Sequence, residues 1–195
     1  MTGGQGTQHP GQSTSGGKSS PDAVSDVHAN PPHSQTHGQA DHTHIAISGE
    51  LHDEIRDFAA LQWPEECCGL LVAANTRPNE IKRVVFARNV ATEPLKTFEI
   101  DPQTLIDTHR SAREKGETVV GCFHSHPNGH VLPSTRDRAR ADEDGFLWMI
   151  IATDHNGAGE SGLFRIIHQG DQTASNNMVV RYFRRCQIIE ANGHQ

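Results

Sequence analysis

Two histidines one residue apart close an apolar run, Gly121-Cys122-Phe123-His124-Ser125-His126-Pro127, and Ser134-Thr135-Arg136-Asp137 follows after a short loop. Imidazole nitrogens and a carboxylate are zinc-ligand types, and a serine hydroxyl can donate one hydrogen bond. Residues 117–123 (ETVVGCF) are mostly β-branched and apolar, which predicts a buried strand ending at the histidines. Side chains at i and i+2 of an extended chain share a face, so both imidazoles can reach one ion. Pro127 has no N–H for a ladder and stops the pairing there.

Residues 134–145 (STRDRARADEDG) have the Ala and Arg content of a helix that Gly145 ends. With Ser134 as its N-cap, Asp137 falls at N3, where its carboxylate can turn back toward the loop. His124, His126 and Asp137 can then supply three ligands to Zn²⁺, leaving a fourth position for water, as catalytic rather than structural sites do. Each fragment alone has a plainer reading. Ser-x-x-Asp before a helix is a capping box, and His-x-His at a strand end is ordinary exposed polar surface. The combined spacing, H-x-H-x(7)-S-x-x-D, makes coincidence a poor account. Ser125 points to the opposite face and stands outside this set.

Together, His124-Ser125-His126-Pro127, Ser134 and Asp137 resemble the signature of the JAMM (MPN-plus) family of zinc metalloproteases. That family also uses a glutamate far upstream. Pro64-Glu65-Glu66-Cys67-Cys68-Gly69-Leu70-Leu71 resembles the P-x-E-x-C-G-L-L segment of its bacterial members, which aligns Glu66, not Glu65, with the catalytic glutamate. Asn89 followed by Phe98-Glu99-Ile100-Asp101-Pro102 is similar to a third block of that subgroup. The resemblance runs from about residue 43 to 186. It implies an α/β fold, a mixed β-sheet flanked by helices of the cytidine-deaminase-like JAMM/MPN kind, with one zinc ion bound. It also implies Glu66 as general base and Ser134 as hydrogen-bond donor to a carbonyl oxygen gaining charge. Cys68 resembles the family's cysteine near the metal, and packing is its expected role.

The elements that must position these residues follow from periodicity. Ile45 and Ile47 read as a first strand, and Ser48 caps a helix whose apolar face is Leu51, Ile55, Phe58 and Leu61. Pro64 ends that helix. Gly69–Ala74 and Ile81–Ala87 read as strands joined by a turn over residues 75–80, and Thr97–Ile100 as a short strand. Asp101-Pro102 supplies N-cap and N1 of a second helix, expected to carry Leu105, His109 and Ala112 inward and to end near Gly116. After the motif, Phe146–Ala152 is a buried strand, Asp154–Ser161 a turn and Leu163–His168 a strand. Met178–Ile189 alternates imperfectly and is compatible with strand or helix.

A chain of 195 residues accommodates one domain, here residues 43–190, between a Gly/Ser/His-rich tail (1–42) and a short C-terminus (191–195), both expected to be disordered. The tail's histidines, His28, His33, His37 and His42, with His44 just beyond, are irregularly spaced, which favours an inert polar segment. The net charge of −7 argues against a general nucleic-acid binder. Arg136, Arg138 and Arg140, and Arg181, Arg184 and Arg185, read as solvated faces. Cys67, Cys68, Cys122 and Cys186 show no C-x-x-C spacing, so reduced thiols and a cytoplasmic location are expected. Neither a secretory leader nor a membrane span is legible.

The bacterial subgroup it resembles is associated with small ubiquitin-like sulfur-carrier proteins. The resemblance therefore implies hydrolysis of the peptide or isopeptide bond after the C-terminal glycine of such a protein, its tail added as a strand beside the cleft. Two other functions follow from the same domain type. One is a peptidase acting on cell-wall or phage-tail peptides. The other is a non-catalytic MPN scaffold, a use in which the ligands, present here, are usually missing.

Overall fold

A computed structural model describes residues 43–170 and 179–191. The tail expected over 1–42, residues 171–178 and the residues after 191 lie outside the described residues. The elements are β1 (His44–Ile47), α1 (Gly49–Gln62), β2 (Cys68–Ala74), β3 (Glu80–Ala87), α2 (Pro102–Glu114), β4 (Glu117–His126), α3 (Thr135–Arg140), β5 (Leu147–Asp154), β6 (Gly157–Gly170) and β7 (Val179–Glu190). The strands form one mixed sheet in the order β1-β3-β2-β4-β5-β6-β7. β4 and β5 run parallel, as β1 does to both β3 and β7, and the other neighbours are antiparallel. The expected sheet flanked by helices is thus present, and its two ends meet to close a barrel.

α1 begins where Ser48 Oγ accepts the Leu51 N–H at 3.2 Å. Its Ile55 and Ala59 are fully buried, with Phe58 packed at their side, against Ile45, Leu71, Phe123, Met149 and Ile151. Leu61, placed on the apolar face by spacing, is 80% exposed, because two residues beyond the buried Ala59 it points to the opposite side of the helix. α2 belongs to a second cluster with Leu70, Phe98, Cys122 and Trp148. Consecutive residues of β4 thus point into different clusters, Phe123 into the first and Cys122 into the second. A strand covered on both faces has to be apolar throughout, which explains its unbroken run.

Four further expectations change and one open reading is resolved. α2 buries Thr108 and Ala112, while Leu105 and His109 face outward, since only small side chains fit where the helix lies close to the sheet. Thr97–Ile100 is not a strand but makes one isolated bridge, Asn89 to Ile100, because the Asn89 side chain takes up backbone groups that a ladder would use. α3 stops at Arg140 instead of reaching Gly145. Acidic side chains disfavour a helix C-terminus, and here Asp142 pairs with Arg181 while Asp144 accepts the His168 N–H. The turn after β5 is tight, with Asp154 Oδ1 accepting the Asn156 N–H at 2.7 Å and Gly157 at φ 118°, so β6 starts before the expected Leu163. Val179–Glu190 resolves as strand.

Candidate metal centre

β4 carries His124 and His126 on one face, and Asp137 reaches them from the first turn of α3. All three are buried. His124 Nε2 lies 3.0 Å from His126 Nε2, and Asp137 sets Oδ2 3.2 Å from His126 Nε2 and Oδ1 3.5 Å from His124 Nε2. Ligands about 2.0–2.1 Å from a tetrahedral zinc sit about 3.3 Å from one another, so the three side chains fit that ion in spacing and in donor type. Among the described residues this is the group of His, Cys, Asp or Glu side chains that could hold a metal.

Each ligand is held from behind. His126 Nδ1–H donates to the His130 carbonyl at 2.9 Å, which turns Nε2 toward the cluster. His124 is held by rings: Phe98 stacks on it at 4.4 Å and Trp148 meets it edge-on at 5.6 Å, while its buried Nδ1 has no hydrogen-bond partner among the described residues. The Ser134 N–H donates to Asp137 Oδ2 at 2.6 Å, and the Asp137 N–H donates to Ser134 Oγ at 3.1 Å. The capping box and the ligand geometry are therefore one arrangement. Capping uses Ser134 Oγ as an acceptor and leaves its proton available.

Electrostatics match this layout. Burial pushes the Asp137 carboxyl up, but hydrogen bonds from His124 and His126 outweigh it and hold the group far below the usual range. Burial pulls His124 down. For His126 burial also works downward, yet Asp137 wins and raises it.

Glu66 precedes β2 and is 6% exposed. Its N–H donates to the Pro94 carbonyl at 2.7 Å and its carbonyl accepts from Asn89 Nδ2 at 2.9 Å. Burial pushes its carboxyl up to about 7, with His126 pulling down and Asp137 pushing up. Ser125, set aside on spacing, ties this segment to the ligand strand. Its Oγ accepts the Cys67 N–H at 2.8 Å and its own N–H donates to the Cys67 carbonyl at 3.2 Å. The signal for that role was available: a serine aimed at a buried face must find a polar partner. Cys68 lies opposite His124 in the β2–β4 pairing but outside the ligand group, with its Sγ 3.9 Å from the Ala87 carbonyl. Burial raises its thiol to about 12, and the side chain packs in the cluster of Leu70, Phe98 and Trp148. A cleft of about 560 Å³ opens beside His126, bordered by Ser134, Leu132, His130 and Glu160.

The chain is similar in sequence and in fold to known proteins. The chain is 31% identical over 114 residues to Desampylase of Haloferax volcanii, covering 56% of this chain and 81% of that protein. It is 35% identical to Tail tip assembly protein K of Escherichia phage N15, covering 51% of this chain and 37% of that one. A third relative, "Probable TtuB-protein conjugate cleaving protease" of Thermus thermophilus, is 32% identical over 45% of this chain and 56% of its own length. The chain thus spans most of the first relative but little more than half, or less, of the other two. In fold it matches the solution structure of protein DSY2949 from Desulfitobacterium hafniense, with TM-score 0.58 and 22% identity over 75% of this chain and 94% of that one. The profile of prokaryotic homologs of the JAB domain matches residues 48–166, a span holding Glu66, His124, His126, Ser134 and Asp137, and the chain belongs to that family.

Proposed function

We propose that the protein is a zinc-dependent metallopeptidase that hydrolyses the peptide or isopeptide bond after the C-terminal glycine of a ubiquitin-like protein. The observation that carries this reading is the convergence of His124, His126 and Asp137 beside a buried Glu66. The relatives named for desampylation and for cleaving a TtuB-protein conjugate support the substrate class. Zn²⁺ held by the three ligands would act as a Lewis acid and lower the pKa of water to about 7.

The protein's own groups do the rest. Glu66 takes a proton from the attacking water as oxygen bonds to the carbonyl carbon, then passes it to the nitrogen as the C–N bond breaks, so one water is added across the amide. Burial raises the Glu66 carboxyl above the usual range, which makes it a stronger proton acceptor than a solvated carboxylate. Ser134 donates a hydrogen bond from its hydroxyl to the carbonyl oxygen as negative charge gathers there. The cleft beside His126 receives the chain that carries the bond.

The test is metal content and cleavage of a ubiquitin-like fusion by wild type, Glu66→Gln and His124→Ala. Wild type should hold about one zinc and cleave; Glu66→Gln should hold zinc and lose about 10²–10⁴ in kcat; His124→Ala should lose the metal. Metal-free, inactive wild type would leave a scaffold role as the better account. The phage relative favours a second reading, a peptidase acting on cell-wall or phage-tail peptides. Digestion of stem peptides with the fusion left intact would select it.

A further inference from the structure

The carboxamide of Asn89 makes four hydrogen bonds. Nδ2 donates to the Glu66 carbonyl at 2.9 Å and to the Thr97 carbonyl at 3.1 Å. Oδ1 accepts the Ala91 and Glu99 N–H groups, each at 3.0 Å. Thr97 and Glu99 flank Phe98, the ring that stacks on His124 at 4.4 Å. Phe98 is held by a second element as well: the Arg140 guanidinium lies 5.7 Å from its ring centre, and Arg140 donates to the Phe98 carbonyl. His124 depends on that contact more than His126 does, because its Nδ1 finds no acceptor among the described residues.

We propose that Asn89 is a positioning residue that fixes, through one planar amide, both the main chain of Glu66 and the aromatic face that orients His124. The proposal rests on the reading of Glu66 as base and His124 as ligand. Asn89 stands outside the group of His124, His126 and Asp137 and does not line the cleft beside His126. It sets the base and the ligand in a common register, so that loss of its donors disturbs both together.

Asn89→Asp is nearly isosteric. It keeps acceptors for the Ala91 and Glu99 N–H groups and deletes the donors to Glu66 and Thr97. Two readouts are taken on zinc-loaded protein: the rate of zinc release to excess chelator, which needs no substrate, and kcat and KM on a ubiquitin-like fusion. Both zinc release and kcat should change by about tenfold or more, release faster and kcat slower. KM should stay within about twofold, because the substrate surface is untouched. A folded Asn89→Asp with wild-type release and wild-type kcat overturns the proposal, and so does a change in only one of them. If Asn89→Asp does not fold, Phe98→Leu tests the ring arm with the amide intact, and an unchanged zinc-release rate sinks the proposal. Should wild type cleave no fusion, the proposed substrate fails while the release rates still decide the role of Asn89.

Discussion

Ser134 carries two duties that one substitution can separate. Its main-chain N–H holds Asp137 Oδ2, while its hydroxyl caps α3 and faces the cleft. Ser134→Ala keeps the first contact and loses the second. The expected outcome is full zinc occupancy, a loss of about 1 kcal/mol in stability from the missing cap, and a fall of about 10²–10³ in kcat, read by metal analysis, denaturation and turnover. Ser125 gives a contrasting case. Ser125→Ala leaves the Cys67 N–H buried without its partner, which costs about 1–3 kcal/mol and loosens the segment that carries Glu66. Urea denaturation should show that loss, with kcat falling while zinc stays bound. Histidines and an aspartate at ligand spacing were legible in the chain because metal chemistry restricts both residue type and period. Asn89 and Ser125 act on main-chain groups, so the sequence shows that a buried serine needs a polar partner but not which residue supplies it.

At the scale of elements, β4 is fastened at its beginning by charge as it is at its end by the ligand cluster. Glu117 is buried at the start of the strand, with Lys82 at 2.9 Å and Arg83 at 2.8 Å from β3. The hydrogen bond from Lys82, then that from Arg83, hold its carboxyl below the usual 4.5 against the opposing effect of burial. A depressed carboxyl stabilises the fold above its unfolded value, and that contribution disappears as pH falls through the lower folded value. The stability gap between wild type and Glu117→Gln should therefore be full at neutral pH and shrink as the solution is acidified below about 4.5, as followed by urea denaturation. Gly69 marks a second constraint. A Cβ there would lie 2.3 Å from the Phe123 ring and 2.4 Å from the Val85 carbonyl, so Gly69→Ala should destabilise by about 1–3 kcal/mol or more. Apolar runs and caps announced β2, β4, β5 and α1. The inward face of α2 was misread because Leu105 fits an amphipathic pattern, whereas the contact with the sheet selects Thr108 and Ala112 for their size.

Across the whole molecule, the two core clusters and the site differ in what holds them. His124, His126 and Asp137 join β4 only to α3 and its preceding loop, so on the proposed zinc reading stripping the metal would remove binding energy that favours the folded state while leaving the strand ladder intact. A chelator should lower Tm and speed hydrogen exchange over residues 127–141, with protection of β4, β5 and β6 unchanged. The arginine groups are absorbed by this chain's own acids and rings: Arg136 with Glu93, Arg185 with Glu160, Arg181 with Asp142, and Arg138 over Phe183. Closure of the sheet was not legible, because the pairing of Ile45 with Ile188 joins positions that share no local pattern. That pairing also sets a clock on biosynthesis. β1 is made before every other described element, yet its longest ladder is with a strand that ends at Glu190. Until the ribosome has released those residues, β1 has only its two-residue pairing with β3, and a nascent chain shows an open strand edge to its neighbours and to chaperones.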